Sequence, residues 1–231
     1  EIKALMSMGV RGVVDALRPD FERASGQTLE LHYNTSQELN KRLQTGETAD
    51  VVVGTRGMID GLIAAGKIVP GSDMLLASSV VGIAVRRGAP RPDISTTEAL
   101  VRTLRAASAI ACSDPAGGGA SGVHFCKLIE RLGIADQITP KLKLAPTGTF
   151  SAQFLVNGEA EIAVQQISEL MVIADADIVG PLPDDVQETT AFVGGIHPDA
   201  RTPEAAKALL EFLQTPQAAA VIRAKGMVPA S

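Results

Sequence analysis

Ile2-Lys3-Ala4-Leu5-Met6-Ser7-Met8-Gly9-Val10-Arg11 passes directly from a strand-like run into a helix start, and this passage decides the fold. Val10, Val13, Val14, Leu17 and Phe21 then recur at helical spacing, predicting a helix over Val10–Ala24 that Gly26 stops. The alternation repeats. Thr28–Tyr33 reads as a strand, and Ser36–Thr45 as a helix with Leu39 and Leu43 inward and Gly46 at its end. Ala49-Asp50-Val51-Val52-Val53 is a short buried strand, and Met58–Ala65 a third helix stopped by Gly66. A β-α-β-α-β-α order requires parallel strands joined by right-handed crossovers, so the fold class is α/β. In open sheets of this kind, ligands bind beyond the carboxyl ends of the strands.

Further along, Val80–Arg86, Ala109–Cys112, Glu161–Gln165 and Thr189–Ile196 read as strands. Thr97–Arg105, Gly122–Leu132, Phe150–Asn157 and Ser168–Val172 read as helices. Thr202-Pro203 opens a last helical region, with Thr202 as N-cap and Pro203 at the first helical position. Thr215-Pro216 restarts it and Gly226 ends it. The chain is expected to cross between two lobes at Met74–Ser78 and again at Pro181–Asp185. Lobe 1 would comprise residues 1–77 and 185–231, and lobe 2 residues 78–184, with a ligand cleft between them.

Composition narrows the function. Six Phe, one Tyr and no Trp leave little for base stacking, and a net charge of −5 does not suit a phosphate backbone, so no nucleic-acid partner is expected. The longest apolar run, around Met74–Val85, is interrupted by Ser78, Ser79 and Gly82 and is too short to span a bilayer. No signal peptide is seen in the chain, which starts at Glu1. His32, His124 and His197 are scattered, the two cysteines form no CxxC, and no GxSxG is present. No metal and no cofactor are therefore expected. Cys112 and Cys126 read as small buried apolar residues, with a disulfide open to an exported protein.

Four strand-to-helix junctions carry Gly, Ser or Thr: Ser7-Met8-Gly9-Val10-Arg11, Asn34-Thr35-Ser36, Asp114–Gly122 and Thr147-Gly148-Thr149. A helix start offers unpaired N–H groups and a partial positive charge, which together suit an anion. Taken singly, each Ser or Thr reads as an ordinary cap. The third junction, with three successive glycines, is less ordinary but lacks the P-loop pattern. Arg11 lies in a first helical turn, unfavourable to the dipole but able to clamp a carboxylate. His124 lies early in the helix after the glycine loop, and Gln165-Gln166 ends a strand with two amides that can both donate and accept.

The run of Phe21 and Gly26, Ser36 and Leu39, Gly46–Val53, Asp114–Gly122, Gly158–Ile162 and Thr215–Ala219 resembles the bacterial molybdate-binding protein family over essentially the whole chain. That resemblance implies the type 2 periplasmic binding fold, periplasmic location, a monomer, and delivery of a small anion to the membrane subunits of an ABC importer. Its binding positions fall on Ser36, beside the junction hydroxyl of Thr35, on Gly9 with Ser7 two residues earlier, and on Ser121, Thr149 and Gln166. The family's first-loop serine is Gly9 here, and its oxyanion-binding tyrosine is Gln166. Those two changes, with Arg11, His124 and the Gln pair, suit a larger carboxylate better than a tetrahedral oxyanion. A transport receptor is the leading expectation. The alternative is a di- or tricarboxylate isomerase such as one acting on aconitate, with His124 as first candidate base and Glu169 and Asp114 behind it. A cytosolic sensor domain is a third, for which no DNA-binding segment is visible.

Overall fold

The first predicted strand runs to Ser7, and each of the alternating elements after it is present in a computed structural model that describes residues 1–146 and 148–230. In chain order these are β1 (Ile2–Ser7), α1 (Arg11–Ser25), β2 (Leu29–Asn34), α2 (Ser36–Gln44), β3 (Val51–Thr55), α3 (Arg56–Ala64) and β4 (Met74–Arg86). Next come α4 (Thr97–Ala106), β5 (Ile110–Ser113), α5 (Ala120–Arg131), α6 (Ala135–Ile138), β6 (Leu142–Ala145) and α7 (Gln153–Val156). The chain closes with β7 (Ile162–Gln166), α8 (Ile167–Leu170), β8 (Ala176–Pro181), β9 (Thr189–Ile196), α9 (Pro203–Phe212), α10 (Pro216–Ala224) and β10 (Val228–Pro229). Contacts divide it into Glu1–Ser79 with Thr190–Ser231, and Val80–Thr189. Both divisions fall a little further along the chain than the sequence boundaries at 77/78 and 184/185. No described helix is long and apolar enough to cross a membrane.

In the first unit β1 is central, parallel to β2 on one side and to β3 on the other, and β9 runs antiparallel beyond β3. A strand buried on both faces should be apolar throughout. Ile2, Ala4 and Met6 enter one core with Val13, Leu17, Leu210 and Ile222, while Leu5 enters another with Leu39, Leu43, Ile59 and Leu62. Asp50, the polar residue in the Ala49–Val53 run, is buried, and its carboxylate accepts from the backbone N–H groups of Lys3 at 2.8 Å and Arg201 at 2.6 Å. It thereby ties β1 to the segment leading into α9, a structural task.

In the second unit β5 lies between β6 and β7, parallel to both, and β7 pairs antiparallel with the later part of β4. β8 pairs with the same part of β4 from Gly82 onward. Ile110 and Cys112 face a core with Phe125, Leu128 and Leu104, and Ala111 faces one with Leu155 and Leu170.

Several expectations change. Met74–Ser78, where the chain is expected to cross, is strand, the first part of β4, which continues without a break into Val80–Arg86. β6 and β8 were not foreseen: both are short, partly exposed segments, and β8 carries Gly180 and ends at Pro181, signals that read as loop. The helix predicted over Phe150–Asn157 shrinks to α7, and that over Ser168–Val172 starts one residue earlier and is shorter, as α8. Thr202 makes no capping bond, and its buried Oγ1 has no hydrogen-bond partner among the described residues.

Candidate functional site

Because β1, β2 and β3 are parallel, their carboxyl ends bring Ser7, Thr35, Ser36 and Thr55 to one edge of the first unit. Ser7 is buried, and its Oγ accepts from Gly9 N at 3.4 Å, capping a short turn over Met8–Val10. Thr35 caps α2 by accepting from Glu38 N at 3.2 Å. Ser36 Oγ accepts from Thr55 N at 3.3 Å, which uses a lone pair and not its hydrogen. Thr55 in turn caps α3. Thr55 was not singled out from sequence; the signal was its place between an apolar strand and Arg56-Gly57, the same strand–hydroxyl–helix pattern as Thr35-Ser36.

Arg11 is placed differently from a ligand clamp. Its Nε donates to Asp15 Oδ2 at 3.3 Å, and its guanidinium lies 5.4 Å from the centroid of the Tyr33 ring. Asp15 also accepts the Tyr33 hydroxyl at 2.8 Å, and burial together with that carboxylate pushes the phenol pKa well up. Asp15 therefore already takes one edge of the Arg11 guanidinium.

In the second unit the carboxyl ends of β5, β6 and β7 are neighbours. The glycine-rich stretch after β5 has two evident structural tasks. Gly118 adopts φ 75°, and a Cβ at Gly122 would lie 2.1 Å from Ser113 O, so α5 can start this close to β5 only through glycine. Ser121 is buried in the first turn of α5, and Asp114 Oδ1 accepts from Ala116 N at 3.0 Å. Of the fourth junction, Thr147 lies outside the described residues. Thr149 starts no helix: its hydroxyl donates to Pro146 O at 2.7 Å. The residue of this loop that joins a network is Ser151, fully buried, whose N–H and hydroxyl donate to Gln165 Oε1 at 3.0 and 3.1 Å.

Gln165 is the hub. Its Nε2 donates to Ser113 Oγ at 3.1 Å and to Glu169 Oε2. Since Ser151 N–H can only donate, the amide has one orientation, and both hydrogens and the carbonyl are committed. Glu169, half-buried on α8, has its carboxyl pushed up to about 7 by burial, while the Gln165 N–H pulls the other way. Gln166, the member of the pair chosen from sequence, is buried at the end of β7 and lies in register with Val81. His124 is held on both ring nitrogens, with Nε2 2.9 Å from Val186 O and Nδ1 2.9 Å from Glu188 Oε2. It ties α5 to the 186–188 segment and offers no unengaged nitrogen. Ser113, Ser151 and Gln165 thus carry a network that strand-by-strand reading did not assemble. Among the described residues no group of His, Cys, Asp and Glu side chains could hold a metal ion.

A family model described as bacterial extracellular solute-binding protein matches residues 2–228. A Pseudomonas protein named aconitate isomerase is 34% identical over 234 residues, covering 99% of this chain and 87% of its own. The periplasmic molybdate-binding protein of Azotobacter vinelandii superposes with a TM-score of 0.82 at 18% identity, covering 100% of both chains. The sulfate-binding protein of Mycobacterium tuberculosis superposes with a TM-score of 0.77 at 18% identity, over 100% of this chain and 87% of its own. The fold is that of the periplasmic binding proteins, α/β with mostly parallel strands flanked by helices.

Proposed function

This chain belongs to the bacterial extracellular solute-binding protein family, and from that premise we propose that it binds a small organic carboxylate outside the cytoplasm. The observation that carries the choice of ligand is the Ser113–Gln165–Ser151–Glu169 network at the strand ends of the second unit. A carboxyl poised near neutrality can present a hydrogen to an incoming carboxylate, whereas a fixed negative charge would repel it. Gly9 and Gln166 support the same reading, because the smaller and the amide-bearing side chains suit a larger ligand than a tetrahedral oxyanion. The residues around the ligand on this reading are Ser7, Gly9, Thr35 and Ser36 in the first unit, with Arg11 at its margin, and Ser121, Thr149 and Gln166 in the second; Thr149, whose hydroxyl is given to Pro146 O, shapes the site and is not a donor to the ligand. A monomer in the periplasm that serves the membrane subunits of an ABC importer completes this reading, and the extracellular solute-binding family to which the chain belongs supports it.

Thermal unfolding with molybdate, tungstate, sulfate, phosphate, citrate and cis- and trans-aconitate tests the ligand class. A ligand at 100 times its Kd adds about 2.7 kcal/mol, or roughly 5–10 °C for a chain of this size. Stabilisation by carboxylates is expected. Stabilisation by molybdate and tungstate alone would overturn the reading.

A second reading is favoured by the relative named aconitate isomerase, whose similarity spans 99% of this chain. On it, the bound carboxylate is isomerised as well as held. Incubation with trans-aconitate, followed by NMR for the cis isomer, separates the two readings.

A further inference from the structure

We infer that Glu169 is the proton-transfer group for a small unsaturated polycarboxylate bound at the strand ends of the second unit, and that Gln165 is its positioning residue. This rests on the isomerase reading. The geometry favours Glu169 over the other two candidate bases. Both nitrogens of His124 are engaged by Val186 O and Glu188, and Asp114 is turned into its own loop to hold Ala116 N. Glu169 keeps part of its surface accessible, and its side-chain partner among the described residues is an amide whose orientation cannot reverse. Ser113 and Ser151, from the end of β5 and the loop after β6, brace that amide from two sides.

Charged neighbours do not account for the state of this carboxyl. Among the described residues no ion pair involves Glu169; β7 contributes no charged side chain, and Asp177 of β8 accepts from Gly88 N at 2.9 Å. Desolvation therefore sets it, and the resulting value of about 7 suits a group that must both take and return a proton near neutral pH. In the step, ionised Glu169 takes a proton from the methylene carbon beside a carboxylate. The C–H electron pair spreads over the three-carbon unit that includes the double bond. The protonated Glu169 then returns the proton to the far carbon of that unit, so the double bond shifts and no net oxidation or reduction occurs.

The experiment uses trans-aconitate in D2O with the wild type, Glu169→Gln and Gln165→Met, each also measured for ligand-induced thermal stabilisation. Glu169→Gln keeps the size of the side chain and should still be stabilised by the ligand, while conversion and deuterium incorporation fall by about 100-fold or more. Gln165→Met removes a donor to the ionised carboxyl, so the neutral-pH limb of kcat should move to higher pH. If that variant does not fold, Ser113→Ala, which releases one brace of the amide, should move the same limb. Conversion by Glu169→Gln within threefold of wild type would overturn the assignment of Glu169. A folded Gln165 or Ser113 variant with an unmoved limb would overturn the positioning role. A wild type that is stabilised by trans-aconitate yet neither converts nor labels it would overturn the isomerase reading itself, and the role of Glu169 with it.

Discussion

Replacing Gly122 by Ala tests whether the glycine-rich stretch is set by packing. The new Cβ would stand 2.1 Å from Ser113 O, 2.9 Å from Ser113 C and 3.2 Å from Ser113 Cβ. Carbon atoms pack at about 3.5–4.0 Å, so α5 has to retreat from β5 by on the order of 1 Å, and the obstacle is backbone, not a flexible side-chain end. Overpacking of this kind costs about 1–3 kcal/mol. A backbone obstacle puts this case in the upper half of that range, and Ala in place of Gly inside a helix returns about 0.5–1 kcal/mol, leaving a net loss of about 1–2.5 kcal/mol. For a chain of this length the loss lowers Tm by roughly 2–10 °C. The matched control is Gly61→Ala in α3, where no atom lies within 4 Å of the added Cβ; it should gain about 0.5–1 kcal/mol. Thermal melts followed by circular dichroism measure both. A Gly122→Ala protein that melts at or above wild type would refute the packing argument and return the glycine to the anion-cradle reading. Since Ser113 also accepts from Gln165, the same variant should disturb the Glu169 network, whereas Gly61→Ala should not.

Two further perturbations follow from ionisable groups away from the site. Arg42 and then Lys3 hold the Glu47 carboxyl down at about 2, below its ordinary 4.5, so its stabilisation is fully present above about pH 4.5 and is lost as pH falls toward 2. Screening near the surface limits that contribution to about 1–2 kcal/mol. Urea melts at neutral pH and at about pH 3 should show this loss in the wild type and a smaller loss in Glu47→Gln; equal acid sensitivity of the two proteins would remove the pair from the account. Burial pushes the Cys112 thiol up to about 12 and the Cys126 thiol in the same direction. Both should react slowly with a thiol-specific disulfide reagent in the folded protein, half-buried Cys126 before Cys112, and rapid labelling of both under native conditions would contradict the packing described.

The architecture was legible because burial imposes period on sequence. In β1, Ile2, Ala4 and Met6 go to one core and Leu5 to the other, so a run broken only by Lys3 and flanked by helical repeats reads as a strand covered on both faces. Helix ends were legible at Gly26, Gly66 and Gly133, which all take the left-handed conformation that other residues avoid. β6 and β8 were not legible, because a short, partly exposed strand carries no such period and its identity comes from its neighbour.

The site divides along the same line, between what adjacent residues declare and what topology assembles. Thr35 and Ser36 declare themselves, since a hydroxyl before a helix start is a local pattern, and Thr55 satisfies the same pattern once β3 is seen to end beside it. Local patterns are ambiguous in kind, however. Three glycines before α5 look like an anion cradle, yet Gly118 takes a left-handed φ, a Cβ at Gly119 would stand 3.2 Å from the Cβ of Ser113, and Gly122, inside α5, answers to the carbonyl of the same residue. The network of Gln165 shows the limit most clearly. Ser113, Ser151 and Glu169 lie on β5, in the loop after β6 and on α8, and nothing in their spacing connects them. They meet because β5, β6 and β7 run parallel and so present their carboxyl ends together. Between two adjacent glutamines periodicity offers no preference, and the family resemblance points to Gln166, not to the hub. Alternation along β7 sends successive side chains to opposite faces, and its hydrogen bonds place Gln165 on the one that holds Ser113 and Glu169. A register slip of one residue would exchange the two amides, and with them the partner of the carboxyl on which the proton-transfer argument rests.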